Sequence, residues 1–214
     1  MIEVLDLGVS NVSSVVSALD ELLKNRVRVI DSKIDSTQPE LLVIPGNGTF
    51  EAGMRQLKSR GLDQVVSQHY QQRGKKVVGL CLGMQLMGIE SEESPGEIGL
   101  GLVRGRTTHL NSLGQKSETV PRIGWHEVFW DGDQEEKRLP SMNSGDYLFF
   151  AHSFHLELSE TNVSRLITRF GDEIYLAGFI GDSLCGLQFH PEKSSFVGLS
   201  LLRQIIDWAG IESD

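Results

Sequence analysis

Apolar runs of strand length alternate with helical patterns through the first half of the chain, and this alternation constrains the fold most. Parallel strands joined through helices need right-handed crossovers, so the pattern predicts a parallel sheet covered on both faces. Loops at the carboxyl ends of such strands carry the functional residues. The predicted elements are, in order, strand 2–7, helix 11–24, strand 26–30, strand 40–44, helices 53–57 and 62–72, and strand 76–80.

The second half shows short alternating runs separated by Gly, Asp and Asn turns. We interpret the runs 127–130, 147–151, 174–180 and 183–189 as antiparallel additions to the same sheet, closed by a helix at 197–209. A chain of 214 residues is the length of one well-packed domain, so residues 1–214 are expected to form a single unit. The expected fold class is α/β, with a mostly parallel sheet, helices on both faces and antiparallel additions.

The charge and composition of the chain limit the kinds of partner and the compartment that it can have. The formal net charge of −9 argues against nucleic-acid or anionic-membrane partners, which need a basic surface. Neither a basic leader nor an apolar run of membrane-spanning length is visible. The two cysteines are far apart in sequence, which suits a reducing compartment. We therefore expect a cytoplasmic protein with a small substrate or a basic partner.

The segment Gly79-Leu80-Cys81-Leu82-Gly83 has the pattern of a nucleophile elbow with sulfur as the nucleophile. The two glycines allow a sharp turn from strand to helix that pushes Cys81 outward. At the amino end of the helix predicted for 82–87, backbone N–H groups and the helix dipole favour the thiolate. The alternative is a small buried cysteine that only packs.

A base for this nucleophile is offered by His190-Pro191-Glu192, which follows a predicted strand. Pro191 keeps His190 extended, so that His190 and Glu192 project the same way. A carboxylate placed there fixes the imidazole tautomer and stabilises the imidazolium, as in a catalytic triad. The alternative is a solvated His-Pro-Glu turn at the surface.

The loop Pro45-Gly46-Asn47-Gly48 also follows a buried strand, at the same edge of the predicted sheet. Its glycines let backbone N–H groups turn toward a carbonyl oxygen, so Gly46, Asn47 and Gly48 are the predicted oxyanion hole. A dinucleotide-binding turn is the alternative. It lacks the third glycine, because Glu51 stands there and would repel pyrophosphate.

Other conspicuous residues have plainer interpretations. His152 and His155 lie in a predicted strand, face opposite sides and lack a third ligand at metal spacing, so no metal site is expected. Cys185 lies in an apolar strand and is interpreted as core. Trp125, Trp130 and Trp208 are expected to pack, although Trp125 follows Pro121 in a loop and could face a partner.

The motifs Pro45-Gly46-Asn47-Gly48, then the elbow extended to Met84-Gln85, then Gln188-Phe189-His190-Pro191-Glu192-Lys193-Ser194, together resemble the class I (triad) glutamine amidotransferases. Residues 8–15, 91–93, 99–102 and 120–125 extend the resemblance, over nearly the whole chain, to glutaminase subunits of imidazole glycerol phosphate synthase. It implies that Cys81 attacks the glutamine side-chain amide, His190 moves the proton and Glu192 orients His190. It also implies that Gln85 and Glu93 hold the glutamine head group, with no cofactor.

The resemblance further implies a partner, a cyclase subunit with a β/α barrel that receives the ammonia and forms imidazole glycerol phosphate. The interface residues implied are Asn11, Arg122, Trp125, His126 and Lys193. The family commonly has Val at position 47, His at 122 and Asn at 126, so this chain departs at the oxyanion loop and on the partner-facing side. Two alternatives stay open: a paralogue that feeds ammonia to an enzyme of a bacterial surface-polysaccharide sugar, and a non-catalytic binding or regulatory module.

Overall fold

The computed structural model of the chain describes residues 1–8, 12–111, 119–132, 139 and 142–212. Strands and helices alternate in the first half, and strands dominate the second. The elements are β1 (Ile2–Leu5), α1 (Val12–Leu22), β2 (Val27–Ile30), β3 (Leu41–Ile44), α2 (Phe50–Ser59), α3 (Leu62–Tyr70), β4 (Lys76–Leu80), α4 (Leu82–Leu86), β5 (Glu90–Ser91), β6 (Gly105–His109), β7 (Arg122–Trp130), β8 (Asp146–His152), β9 (Phe154–Leu158), β10 (Ser164–Phe170), β11 (Glu173–Ile180), β12 (Leu184–Leu187) and α5 (Ser195–Trp208).

A nine-stranded sheet organises the molecule in the order β2-β1-β3-β4-β12-β11-β10-β7-β8. The pairings from β2 to β12 are parallel, and those from β12 to β8 are antiparallel. A second sheet of three strands has the order β5-β6-β9. The expected α/β class with antiparallel additions is confirmed.

The four runs interpreted as additions form β7, β8, β11 and β12, and all four join the large sheet, although β12 also pairs parallel with β4. The small sheet of β5, β6 and β9 was not expected. The sequence interpretation gave no strand at Gly105–His109, which lacks apolar side chains, and it did not separate Phe154–Leu158 from the strand before it, although that segment alternates between apolar and polar residues. Their pairing is antiparallel and joins segments about fifty residues apart. It also corrects the expectation for His152 and His155, which lie on different strands separated by Ser153.

Two apolar cores cover the two faces of the large sheet. One core packs α1 and α5 against the sheet, and the other packs α2, α3 and α4 against the opposite face. The fully buried carboxylate of Glu3 in β1 is satisfied by the Ser36 hydroxyl and by the backbone N–H and hydroxyl of Thr37. No helix among the described residues is both long and apolar enough to cross a bilayer.

Strand register brings three loops together at one edge of the sheet. Ile44 at the end of β3 pairs with Gly79 in β4, and Leu80 at the end of β4 pairs with Leu187 at the end of β12. Because all three strands are parallel, their carboxyl ends lie side by side. The oxyanion loop, the elbow and the His-Pro-Glu segment therefore emerge next to one another.

Glycine allows the elbow to approach the neighbouring strand. A Cβ added to Gly83 in α4 would overlap the Ile44 carbonyl oxygen, and one added to Gly79 would lie 2.7 Å from backbone atoms of Gly83. Both obstacles are backbone atoms, which cannot rotate away as side chains do. The close contact of α4 with the ends of β3 and β4 therefore requires these glycines.

We expect the Gly83→Ala variant to lose about 3 kcal/mol or more of its unfolding free energy, because relief of the overlap must separate α4 from β3. Urea denaturation monitored by circular dichroism measures the loss. The matched control is Gly53→Ala in α2, whose added Cβ would meet the flexible end of Leu86 at 2.9 Å. In Gly53→Ala the higher helix propensity of Ala offsets this close contact, so the free energy of unfolding should change by less than about 1 kcal/mol. A urea midpoint for Gly83→Ala equal to that of the wild type would show that the contact of α4 with β3 does not require glycine at position 83.

Candidate active site

Cys81 occupies the strained corner between β4 and α4. Its φ of 51° and ψ of −107° lie where residues with a side chain are rarely found. The corner is fixed by a hydrogen bond in which the Cys81 N–H donates to the Leu187 carbonyl at 2.7 Å. Strain of this kind persists only where the surroundings impose it, and it is concentrated at functional sites. The elbow predicted from the two glycines is thus the conformation that the chain adopts.

His190 follows the end of β12 and is held by Phe149 in β8 and by Ser194. Its N–H donates to the Phe149 carbonyl at 2.8 Å, while its carbonyl accepts from the Ser194 hydroxyl at 2.6 Å. The Ser194 oxygen in turn accepts from the Phe149 N–H at 3.0 Å. This closed set of bonds fixes the backbone of His190 on both sides.

The imidazole of His190 lies between a thiol and a carboxylate. Its Nδ1 is 2.8 Å from Glu192 Oε1, and the Cys81 side chain lies close enough to the ring to influence its pKa. Burial acts to lower the pKa of His190, but the interactions with Cys81 and Glu192 outweigh it and raise the pKa to about 10. At neutral pH the ring is therefore an imidazolium, ready to give up a proton. The carboxylate is itself enclosed, since only 4% of the Glu192 side chain is exposed.

The glycine loop after β3 lies beside the sulfur. Asn47 and Gly48 line the same cavity as Cys81. Gly48 has a φ of 103°, and its N–H donates to the side-chain oxygen of its neighbour Asn47 at 2.9 Å. The Gly48 donor, one of the expected oxyanion groups, is therefore occupied by a side chain of this chain itself.

A cavity of about 210 Å³ opens directly onto the sulfur, with room for a small molecule of amino-acid size. Gln85 and Glu93, the two residues expected to hold the substrate, both line it. Glu93 also accepts a 2.7 Å hydrogen bond from the Phe50 N–H at the start of α2. The residues that line this cavity are Asn47, Gly48, Cys81, Leu82, Gln85, Glu93, Pro121, Ala151, His152, Ser153 and Phe154.

Sequence reasoning missed two groups of this site. Gln188, which is fully buried, donates from Nε2 to Cys81 Sγ at 3.6 Å. His152, interpreted as an ordinary polar residue, lines the cavity and is itself buried. Side chains alternate along an extended segment, so residues 188 and 190 point to the same side. The position of His190 in the sequence therefore already indicated that Gln188 faces the site.

Not all of the residues expected at the partner interface lie at the surface. Trp125 is 46% exposed and Lys193 is exposed, whereas only 2% of Arg122 is exposed. The Arg122 guanidinium lies 4.6 Å from the Phe150 ring and donates to Thr168 and to the Arg169 carbonyl, so it faces inward. We therefore leave Arg122 out of a partner surface. Asn11 lies outside the described residues.

Cys185 is fully buried, and burial raises its pKa to about 12, so its assignment to the core is confirmed. Trp130 and Trp208 pack against the first core.

His126, the other interface residue at a position where this chain departs from the family, is half-buried. Its pKa is lowered to about 4, mainly by burial and to a smaller extent by the charge of Arg122. Within the described ranges, no group of three His, Cys, Asp or Glu residues could hold a metal ion.

Comparison with known proteins agrees with this geometry. Residues 3–206 match the family model of glutamine amidotransferase class-I. The chain therefore belongs to the class-I glutamine amidotransferase family. A solved structure, described as a crystal structure of glutamine amidotransferase, superposes with a TM-score of 0.74 at 18% identity, covering 98% of this chain and 99% of that one. That likeness concerns the fold.

Two relatives place the chain more narrowly, in the family of imidazole glycerol phosphate synthase subunit HisH. It is 32% identical to imidazole glycerol phosphate synthase subunit HisH 2 of Pseudomonas aeruginosa over 97% of this chain and 99% of that protein. It is 33% identical to subunit HisH of Pyrococcus furiosus over 94% of this chain and 96% of that protein.

The coupling of His190 to Glu192 gives a testable prediction. In the Glu192→Gln variant we expect the pKa of His190 to fall from about 10 by more than about one pH unit, because the neutral amide no longer stabilises the imidazolium. NMR titration of the labelled imidazole measures it. Glu51→Gln, an exposed substitution in α2, is the matched control and should leave the His190 titration unchanged. An unaltered titration in folded Glu192→Gln would refute the coupling.

Proposed function

We infer that the chain is the glutaminase subunit of imidazole glycerol phosphate synthase. It hydrolyses glutamine to glutamate and ammonia, and the ammonia serves a cyclase subunit in histidine biosynthesis. Membership of the HisH family over nearly the full chain supports this function. The observation that carries the chemistry is the contact of Cys81, His190 and Glu192 at the ends of β4 and β12. The relatives give no support to a polysaccharide paralogue or to a non-catalytic module.

In the proposed reaction, an electron pair of Cys81 Sγ forms a bond to the amide carbon of glutamine, and the carbonyl π pair moves to oxygen. As the tetrahedral species collapses, the C–N bond breaks and the nitrogen takes the proton of His190 Nε2, leaving as ammonia. A water molecule then attacks the γ-glutamyl thioester and gives its proton to His190. The C–S bond breaks with its electron pair on sulfur, which releases glutamate. Glu192 keeps Nδ1 engaged, so that Nε2 is the nitrogen that exchanges protons.

The cavity accounts for glutamine binding. We assign the carboxylate of Glu93 to the α-ammonium group, since it is an anion that lines the cavity, and Gln85 to polar contacts with the head group. The backbone of Gly46, Asn47 and Gly48 is assigned to the developing oxyanion, because this loop lies beside the sulfur. When the sulfur attacks the carbonyl carbon, the negative charge that develops on the carbonyl oxygen then lies against this loop.

The partner surface is assigned to the side of the molecule next to His190. Trp125 packs edge to face on Phe149 at 6.1 Å, and the Phe149 ring lies 6.5 Å from that of His190. With exposed Lys193 nearby in sequence, these aromatic residues form a surface suited to a barrel-shaped cyclase subunit. A biosynthetic role of this kind, together with two unpaired cysteines, favours the cytoplasm.

Replacement of the nucleophile tests the function. In a complex of the chain with its cyclase subunit, Cys81→Ala should lower glutamine-dependent formation of imidazole glycerol phosphate by at least about 10³-fold, because triad members act as a unit. Synthesis from added ammonium salts should persist, since ammonia then bypasses the glutaminase site. Cys185→Ala is the matched control and should retain the glutamine-dependent rate. Glutamine-dependent synthesis in Cys81→Ala would disprove the assignment.

The occupied donor at Gly48 gives a second prediction. Asn47→Ala removes the side-chain oxygen that accepts from the Gly48 N–H and leaves that donor to the oxyanion. Release from a hydrogen bond of about 1 kcal/mol should raise the kcat of glutamine hydrolysis about fivefold. Asn47→Asp, which retains an acceptor oxygen, should show no such gain. Equal rates for wild type and Asn47→Ala, measured by release of glutamate, would count against a role for Gly48.

A further inference from the structure

The amide of Gln188 is a polar side-chain group in direct contact with the reactive sulfur, which also has a hydrogen-bond contact with the Ala151 carbonyl at 4.0 Å. The side chain has no exposed surface, and its Nε2 donates to Cys81 Sγ at 3.6 Å. Gln188 does not line the substrate cavity. Glutamine in this cavity therefore need not displace the contact between Gln188 and the sulfur.

The orientation of the Gln188 amide is fixed by Gln85. The nitrogen of Gln85 donates to Gln188 Oε1 at 3.1 Å and to the Phe154 carbonyl at 2.8 Å. If the Gln188 amide were turned over, two NH₂ groups would face each other and an oxygen would face the sulfur. Only the present orientation gives every group a complementary partner, and it points a donor at Sγ.

Gln85 is itself held in place by the first residue of β9. Besides accepting from Gln85, the Phe154 carbonyl accepts from His152 Nδ1 at 2.8 Å. Burial lowers the pKa of His152 to about 3, so the ring is neutral and its proton is on the nitrogen that donates. An unbroken series of hydrogen bonds thus joins His152, the Phe154 carbonyl, Gln85, Gln188 and Cys81.

We propose that Gln188 is a catalytic residue of this glutaminase that stabilises the Cys81 thiolate by hydrogen bonding, and that Gln85 acts as its positioning residue. The proposal rests on the proposed function. An N–H donor interacts more strongly with a thiolate than with a neutral thiol or thioester. The bond is therefore strongest in the free enzyme and again when the C–S bond of the thioester breaks and sulfur recovers its electron pair.

Alkylation of the full-length chain by iodoacetamide tests this proposal without glutamine. The thiolate reacts and the thiol does not, so the rate as a function of pH reports the ionisation of sulfur. In Gln188→Met, a substitution of similar length without an amide donor, the pH of half-maximal alkylation should rise by about one pH unit. Peptide mass spectrometry assigns the adduct to Cys81, since Cys185 is enclosed and its pKa is raised to about 12.

Glutamine hydrolysis provides a second measurement. Because Gln188 does not line the cavity, Gln188→Met should lower kcat about tenfold and leave KM within about twofold of wild type. The matched control is Gln204→Met, which replaces a half-buried glutamine in α5 and should alter neither measurement. A folded Gln188→Met chain with a wild-type alkylation profile would overturn the proposal.

A second variant covers the case in which Gln188→Met does not fold. Gln85→Met removes the donor that holds Gln188 Oε1 and leaves Gln188 in place, so its amide can turn over. The alkylation profile should then move toward higher pH by less than in Gln188→Met, although residue 85 makes no bond to sulfur. An unchanged profile in Gln85→Met would contradict the positioning role and, with it, the proposal.

The glutaminase activity and the role of Gln188 can be disproved separately. If the wild-type chain with its cyclase subunit did not hydrolyse glutamine, the proposed function would be wrong, whatever the alkylation profiles showed. If glutamine hydrolysis depended on Cys81 but the alkylation profile did not depend on Gln188 or Gln85, the function would stand and the role of Gln188 would be withdrawn.

Discussion

The site depends on the parallel pairing of β4 with β12. These strands are about a hundred residues apart in sequence, yet their register aligns Leu80 with Leu187, and the Cys81 N–H continues the ladder by donating to the Leu187 carbonyl. Residues 81 and 188 are therefore the first residues beyond the paired strands, and their side chains are in contact. A shift of one residue would turn Gln188 and His190 to the other face of the sheet and separate the nucleophile from its base.

Burial alone does not give His190 its charge. His152 and His155 are also buried, and desolvation, as the largest cause, lowers their pKa values to about 3 and about 4. His190 experiences the same lowering, but Cys81 and Glu192 both interact with its ring and reverse the direction. His155 Nε2 instead faces a neutral hydroxyl, that of Thr108, at 2.9 Å. The imidazolium thus exists at the one of these three positions where a carboxylate is hydrogen-bonded to the ring.

Local patterns in the sequence predicted the features that local chemistry controls. The glycines around Cys81 and the proline after His190 constrain the backbone directly, so the elbow and the His-Pro-Glu segment were visible without any knowledge of pairing. The small sheet was not visible, because Gly105–His109 lacks the alternation of a strand and its pairing with β9 joins segments about fifty residues apart. Arg122 was placed at the partner surface only by the resemblance, whereas in this chain its guanidinium is received inside by Thr168, the Arg169 carbonyl and two phenylalanine rings.

The contact between Gln188 and Cys81 depends on restraint at both of its ends. A sulfur atom on a free turn would move, and a glutamine amide alone could present either oxygen or nitrogen to it. The strained φ of Cys81 cannot relax, because glycine contacts and the bond to Leu187 hold the corner closed. The amide cannot turn over, because Gln85 occupies its oxygen. A hydrogen bond to a charged atom gives its full stabilisation only when neither partner has to be ordered first, and here both are ordered by the folded backbone before substrate arrives.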